Sequence, residues 1–205
     1  MQYIPVLDHG FVKLIDSMGS DHTVSQAARM SFGKETNDLT KADIELIKGL
    51  AAKGHETPFR HPHVMLHIKF PIFVARQLMR HNVGVTWSEK SMRYTDASNT
   101  AFYIPNKERL DGEALTVVWE ANISAMRHYR ELLELDTPKE LARTVLPLSV
   151  YTEVYMTASL QALTHLVKLR DDMHAQIEAQ EYARAIKKIV TELFPVSVNA
   201  LLGSE

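Results

Sequence analysis

A single domain that mixes long helices with short strands is the fold this sequence predicts, and three observations predict it. The chain of 205 residues suits one domain, 1–205. Val64, Leu66, Ile68 and Phe70 alternate with Met65, His67 and Lys69, the period of a half-buried strand. Elsewhere apolar residues recur at helical spacing behind helix-start signals.

Taken in order, residues 2–15 alternate loosely around Asp8-His9-Gly10, which reads as a strand, a turn, and a second strand or the lead into a helix. Ser20 to Phe32 reads as a helix closed by Gly33. Thr40 followed by Asp43 has the shape of a capping box; Ile44, Ile47, Leu50 and Ala51 form the apolar stripe, and Gly54 stands where a C-cap glycine belongs. The polar segment Gly54 to His61 is open to two readings, a ligand loop carrying His55, Glu56 and Thr57 or a solvated turn. Glu113 to Leu135 reads as a long helix. Thr137-Pro138-Lys139-Glu140 starts another, with Thr137 as cap and an end before Pro147. There Arg143 either pairs with Glu140 or points with it at a ligand. Leu148 to Met156 carries no decisive period. Ser159 to Leu169 is helical in pattern, and i,i+4 steps place Arg170, His174 and Glu178 on one helical face. A last long helix runs to Phe194-Pro195, and the tail from Val196 carries no signal.

Composition narrows the function. Charged residues at 23% and hydrophobic residues at 45% are those of a globular protein. A net charge of -2 argues against a protein that coats nucleic acid but leaves room for a local basic pocket. With Cys 0, disulfides, thiolate metal sites, iron–sulfur clusters and thiol nucleophiles are excluded. No stretch approaches the roughly 18 apolar residues of a membrane span, and the N-terminus has no signal pattern, so a cytoplasmic protein with no membrane partner is expected. No metal site is expected either: His63 and His67 lie roughly 13 Å apart along a strand, too far for one tetrahedral centre.

The densest chemistry lies between Arg76 and Tyr94. Pro71 opens a helix there, and continuation to Arg80 places Arg76 and Arg80 on one face, with Gln77 and His81 on the next stripe. Parallel guanidinium groups repel unless an anion sits between or above them. Ser88, Glu89, Ser91, Arg93 and Tyr94 follow in a stretch with little apolar period, read as a loop of shorter polar groups rather than a core strand. No glycine-rich phosphate loop occurs, so a flavin or nicotinamide cofactor is not held by a dinucleotide-binding βαβ unit.

With these residues on the page, the sequence resembles the flavin-dependent thymidylate synthases over nearly its whole length. The likeness rests on Ala27-Ala28-Arg29-Met30-Ser31-Phe32, Gly54-His55-Glu56-Thr57-Pro58-Phe59, Pro71 to Gln77, Arg80-His81, Ser88 to Tyr94, Phe102-Tyr103-Ile104-Pro105, Ala142-Arg143, Leu146-Pro147-Leu148, and Leu169-Arg170 with His174-Ala175-Gln176. The resemblance implies an α+β fold, a helical shell around a small, mostly antiparallel sheet. It implies reductive methylation of dUMP to dTMP, with 5,10-methylenetetrahydrofolate as carbon donor and FAD, reduced by NADPH, as hydride source. It also implies a homotetramer with shared active sites.

Carried over by position, Gln77, Arg80, Glu89, Ser91, Met92, Arg93, Arg143 and Arg170 would hold the nucleotide. Ser31, His55, Thr57, Arg80, His81, Glu89, Ser159, His165 and His174 would lie against FAD. Arg170, Ser91 and Glu89 stand nearest the chemistry, Ser91 as a binding group rather than a nucleophile. The missing cysteine agrees, since the flavin family needs no thiolate adduct.

The chain departs from the family pattern at Asn82, where an arginine is usual, and at Ser88 and His165, where asparagines are. Eight residues separate Asn82 from Ser91, one more than the family spacing. Two alternatives stand beside methylation: a sister enzyme that forms a hydroxymethylated pyrimidine nucleotide, and a non-catalytic nucleotide- or flavin-binding protein.

Overall fold

The structure, a computed structural model, describes residues 2–203. Strands β1 (Tyr3–Val6), β2 (Gly10–Met18), β3 (His63–Pro71), β4 (Val85–Glu89) and β5 (Tyr151–Ser159) form one sheet in the order β1-β2-β3-β5-β4. Every pairing is antiparallel. Helices α1 (Asp21–Arg29), α2 (Lys41–Ala52), α3 (Ile72–Leu78), α4 (Gly112–Glu134), α5 (Lys139–Ala142), α6 (Leu160–Arg170), α7 (Ile177–Leu193) and α8 (Pro195–Leu202) complete the α+β fold.

The period of β3 decides where the core lies. Val64, Leu66, Ile68 and Phe70 are fully buried in one cluster with Val154 and Met156 of β5, Leu163 and Leu166 of α6, and Ile186 and Ile189 of α7. The opposite face of β3 carries Met65, His67 and Lys69, only half-buried, and His67 hydrogen-bonds Glu153 across the sheet at 2.9 Å. The turn into β2 needs its glycine, because a Cβ at Gly10 would meet the Tyr182 hydroxyl at 1.9 Å.

Two buried carboxylates on this flank are held by several donors each. Thr40 and Asp43 form the expected capping box, and Asp43 also takes a 2.7 Å bond from Arg29. Asp21 accepts from the Val196 and Ser197 amides at 2.9 and 2.8 Å and so caps α8, a helix absent from the sequence reading of the tail.

Other expectations are corrected. The segment Leu148 to Met156 is largely strand, with β5 starting at Tyr151. Met30–Phe32 is a 3-10 turn after α1, and α5 is one turn long with Pro138, not Thr137, as its cap. The helical face of Arg170, His174 and Glu178 does not form. α6 ends at Arg170, residues 171–176 are not helical, and α7 begins at Ile177. Glu178 then turns inward, 2% exposed, to Arg109 and to the Tyr103 hydroxyl at 2.9 Å.

Candidate active site

α3 opens at Pro71 and buries Val74, Ala75 and Leu78, leaving Arg76 exposed. It stops at Leu78, so Arg80 and His81 lie beyond it in a turn completed by Gly84 at φ 71. Neither Arg76 nor Arg80 has an ion-pair partner among the described residues. Val83 in this turn is 82% exposed. The next residues are a strand and not the expected loop: β4 pairs with β5, Trp87 facing Met156 and Glu89 facing Val154.

Two side chains near α3 are tied to the α6–α7 connection. Gln77 donates to the Gln176 side-chain oxygen at 2.7 Å and to the Phe73 carbonyl at 3.3 Å. The Arg170 Nε donates to His81 Nε2 at 3.0 Å, which requires a neutral imidazole with its proton on Nδ1. Burial first, then the charges of Arg170 and His165, push His81 down to about 4, so it stays an acceptor at neutral pH. The His165 ring meets it edge-on at 6.1 Å, and the His81 carbonyl takes the Trp87 indole at 2.9 Å.

Glu89, Ser91, Met92 and Arg143 line one cavity of about 410 Å³ with Lys90, Ile72, Thr144, Leu146 and Leu148. Ser91 shapes a turn: its Oγ accepts from the Arg93 amide at 3.3 Å, and its carbonyl accepts from the Tyr94 and Thr95 amides at 3.1 Å. The Ser91 hydroxyl proton therefore remains available to an anion. Arg93 leans over Tyr94 and pairs with Glu140 at 3.4 Å. Glu140 is thus the partner of Arg93, while Arg143 lines the cavity. Thr152, 2% exposed, donates to the Glu89 carboxylate at 2.7 Å. Nothing in the sequence pointed to Thr152, because the β5 register that sets it beside Glu89 carries no local signal; Lys90 and Gln176 lay within family motifs but had no role assigned.

Ser31, His55 and Thr57 line a second cavity of about 840 Å³ between α1, α2 and the 3-10 turn Thr57–Arg60. Its wall mixes Leu46, Leu50, Phe32 and Pro58 with Lys34 and two hydroxyls, a donor set suited to a flat heteroaromatic ring carrying phosphates. The remaining cofactor candidates do not line it. Ser159 is buried and caps α6 through the Ala162 amide at 3.2 Å. His174 is exposed in the α6–α7 connection, its amide bonded to Asp172.

Beside edge strand β4 one cavity brings a carboxylate, a serine turn and the Arg143 guanidinium together, and a separate larger cavity between α1 and α2 joins apolar walls to hydroxyls and Lys34. Comparison with known proteins resolves the class. The family described as Thymidylate synthase complementing protein matches residues 13–196. A flavin-dependent thymidylate synthase of Thermotoga neapolitana is 44% identical over 97% of this chain and 94% of its own. One from Thermus thermophilus is 42% identical over 95% and 76%. Among solved structures, the UMP/dUMP methylase PolB from Streptomyces cacaoi bound with 5-Br dUMP superimposes with a TM-score of 0.86 at 31% identity, covering 96% of both chains. The chain belongs to the flavin-dependent thymidylate synthase family, whose members use FAD.

Proposed function

We propose that this chain catalyses the reductive methylation of dUMP to dTMP, taking its one-carbon unit from 5,10-methylenetetrahydrofolate and its reducing equivalents from NADPH through FAD. The observation that carries the reading is the cavity where Glu89, Ser91, Met92 and Arg143 converge in a chain of this family. Arg143 in the cavity, with Arg80 and Arg93 on either side of β4 in the chain, would supply forked donors for the nucleotide phosphate. Ser91 adds its hydroxyl proton. Arg170, held through Nε by His81, keeps its outer guanidinium edge for the uracil oxygen on which charge develops. Glu89, fixed by Thr152, offers an acceptor to the nucleotide.

The large cavity with Ser31, His55 and Thr57 would hold part of FAD, which supplies the hydride when bound. Arg80, His81, Ser159, His165 and His174 are proposed to meet FAD from another side. Two sets of cofactor residues that share no cavity within one chain are what an active site built from several copies would require, and this supports a homotetramer. α4 supports it too, since Val117, Trp119 and Ile123 are 64, 51 and 45% exposed along one helix. No described helix is long and apolar enough to cross a membrane; a cytoplasmic setting is part of the proposal.

A second reading has its own support. PolB, named as a methylase of both UMP and dUMP, is also solved with 5-Br UMP and matches at a TM-score of 0.82. This reading adds UMP as a methyl acceptor. The test is the visible spectrum of purified protein before and after anaerobic NADPH with dUMP, followed by product analysis with dUMP and with UMP. A flavin band that bleaches and a methylated product are expected. A flavin that reduces but yields a hydroxymethylated nucleotide, or no flavin after FAD is added, would overturn the proposal.

A further inference from the structure

Lys69 and Glu153 face each other across the β3–β5 pairing, an arrangement in which opposite charges ordinarily meet. They do not pair. The Glu153 carboxylate accepts from His67 at 2.9 Å, and the Lys69 ammonium leans toward Tyr151 instead, 5.6 Å from the centre of its ring. There Lys69 lines a cavity of about 210 Å³ beside the start of β5.

Lys90, the residue after β4, lines the same cavity. Its amide is fixed to the Glu153 carbonyl at 2.9 Å. Neither lysine side chain has an ion-pair partner among the described residues. The carboxylates in the wall are already engaged, Glu153 by His67 and Asp96 by the Ser98 amide and hydroxyl at 2.7 and 2.6 Å. Two unpaired ammonium groups on one small cavity repel each other, and an anion between them removes that cost. Lysine binds phosphate as a point charge, whereas recognition of a planar carboxylate favours the arginine fork. The space falls below the roughly 300–1,000 Å³ of pockets that enclose drug-sized ligands, and suits a small anionic group. Lys90 and Met92 also line the cavity of Glu89, Ser91 and Arg143, so the two spaces share a wall.

We propose that Lys69 and Lys90 form a second phosphate subsite next to the nucleotide cavity. Its ligand is either the outer phosphates of a pyrimidine nucleoside triphosphate or free pyrophosphate. The bond between Glu153 and His67 is what releases Lys69 for this role. The first of these ligands rests on the nucleotide site proposed above; the second does not.

The test is calorimetric titration of the FAD-loaded enzyme with dUMP, with dUTP, and with pyrophosphate while dUMP is saturating. Lys69 does not line the nucleotide cavity, so Lys69→Ala separates the two spaces. If the outer phosphates are the ligand, Lys69→Ala should weaken dUTP about tenfold and leave dUMP within about twofold of wild type. Lys69→Arg, which keeps the charge, should recover most of that loss. If pyrophosphate is the ligand, wild type saturated with dUMP should still bind it, and Lys69→Ala should weaken it about tenfold. Lys188→Ala removes an exposed charge on α7 and should change neither. The proposal is overturned if Lys69→Ala alters neither dUTP nor pyrophosphate binding. It is equally overturned if dUMP weakens as much as dUTP, since Lys69 would then serve the nucleotide cavity or the fold. Wild-type protein that binds FAD but no nucleotide would sink the nucleotide site, and pyrophosphate titration of Lys69→Ala against wild type would still decide the subsite.

Discussion

Two polar constellations in this molecule use the same residue types for different ends. On the α1–α2 flank, Asp43 is fully buried and accepts from Arg29, from the Thr40 amide and from the Thr40 hydroxyl at 2.7, 2.9 and 2.6 Å. At the other, Arg170, Gln77 and Ser91 each use part of their hydrogen-bonding capacity on protein and leave the rest outward. The first set is saturated and exposes nothing to bind. The second is held in place by one or two bonds on half-buried side chains, and keeps further donors and acceptors beyond them. Saturation marks scaffold here, and oriented incompleteness marks the site.

The comparison is broken most directly by deleting one member of each. Asp43→Ala leaves the Arg29 guanidinium and the Thr40 amide without their acceptor and should cost about 3 kcal/mol of folding free energy in urea titrations. Nucleotide affinity of the folded fraction should be unchanged; loss of nucleotide binding at full stability would reverse the assignment. Arg170→Ala should do the opposite. Turnover should fall by about a hundredfold or more, the scale for removing one oriented donor at a developing charge, with the melting temperature held. Lys188, exposed on the last turns of α7, is the control: Lys188→Ala should move neither quantity.

Scaffold and site differ in how far the sequence showed them. Thr40, Asp43 and Gly54 act within one helix, so a local pattern sufficed, as it did for the β3 alternation and for the span of α4. Arg170, His174 and Glu178 failed as a helical face because spacing says nothing about where a helix stops. Residues 171–176 intervene, and Glu178 is drawn inward by Arg109 and Tyr103, both distant in sequence. β4 was missed because an edge strand with one exposed side needs no apolar period. Helical spacing did not show that α4 buries only Asn122, Met126 and Tyr129 and leaves Trp119 and Ile123 exposed. The site residues came mainly from family likeness, and their partners Thr152 and Gln176 came only from the fold.

A smaller effect sharpens the same contrast inside the site. Thr152 is scaffold by burial yet its hydroxyl ends on Glu89. Thr152→Val keeps the shape, removes the donor and should weaken dUMP binding by about tenfold, the worth of one hydrogen bond to a charged group. Thr152→Ser should restore most of it. A variant that loses stability but not affinity would return Thr152 to the scaffold.

Acid titration separates the two constellations without removing a contact. Burial alone would raise the Asp43 pKa, but the bonds from Thr40 and the Arg29 charge outweigh it and hold it down to about 2. An unfolded aspartate titrates near about 3.9, so the unfolded chain takes up this proton first as pH falls. The Asp43 contribution is therefore complete above about 4 and drains away between there and about 2. His81 works in the window above. Its folded pKa is pushed down to about 4 while an unfolded histidine sits near about 6.5, so acid again favours the unfolded chain, this time between those two values. Stability should fall in two successive stages, the upper from the site and the lower from the scaffold. His81→Gln, which keeps an acceptor near Arg170 but cannot take up the proton, should flatten the upper stage alone; Asp43→Asn should flatten the lower. Chemical denaturation at a series of pH values reads both stages. If His81→Gln leaves the upper stage intact, the neutral imidazole is not what holds Arg170 in place.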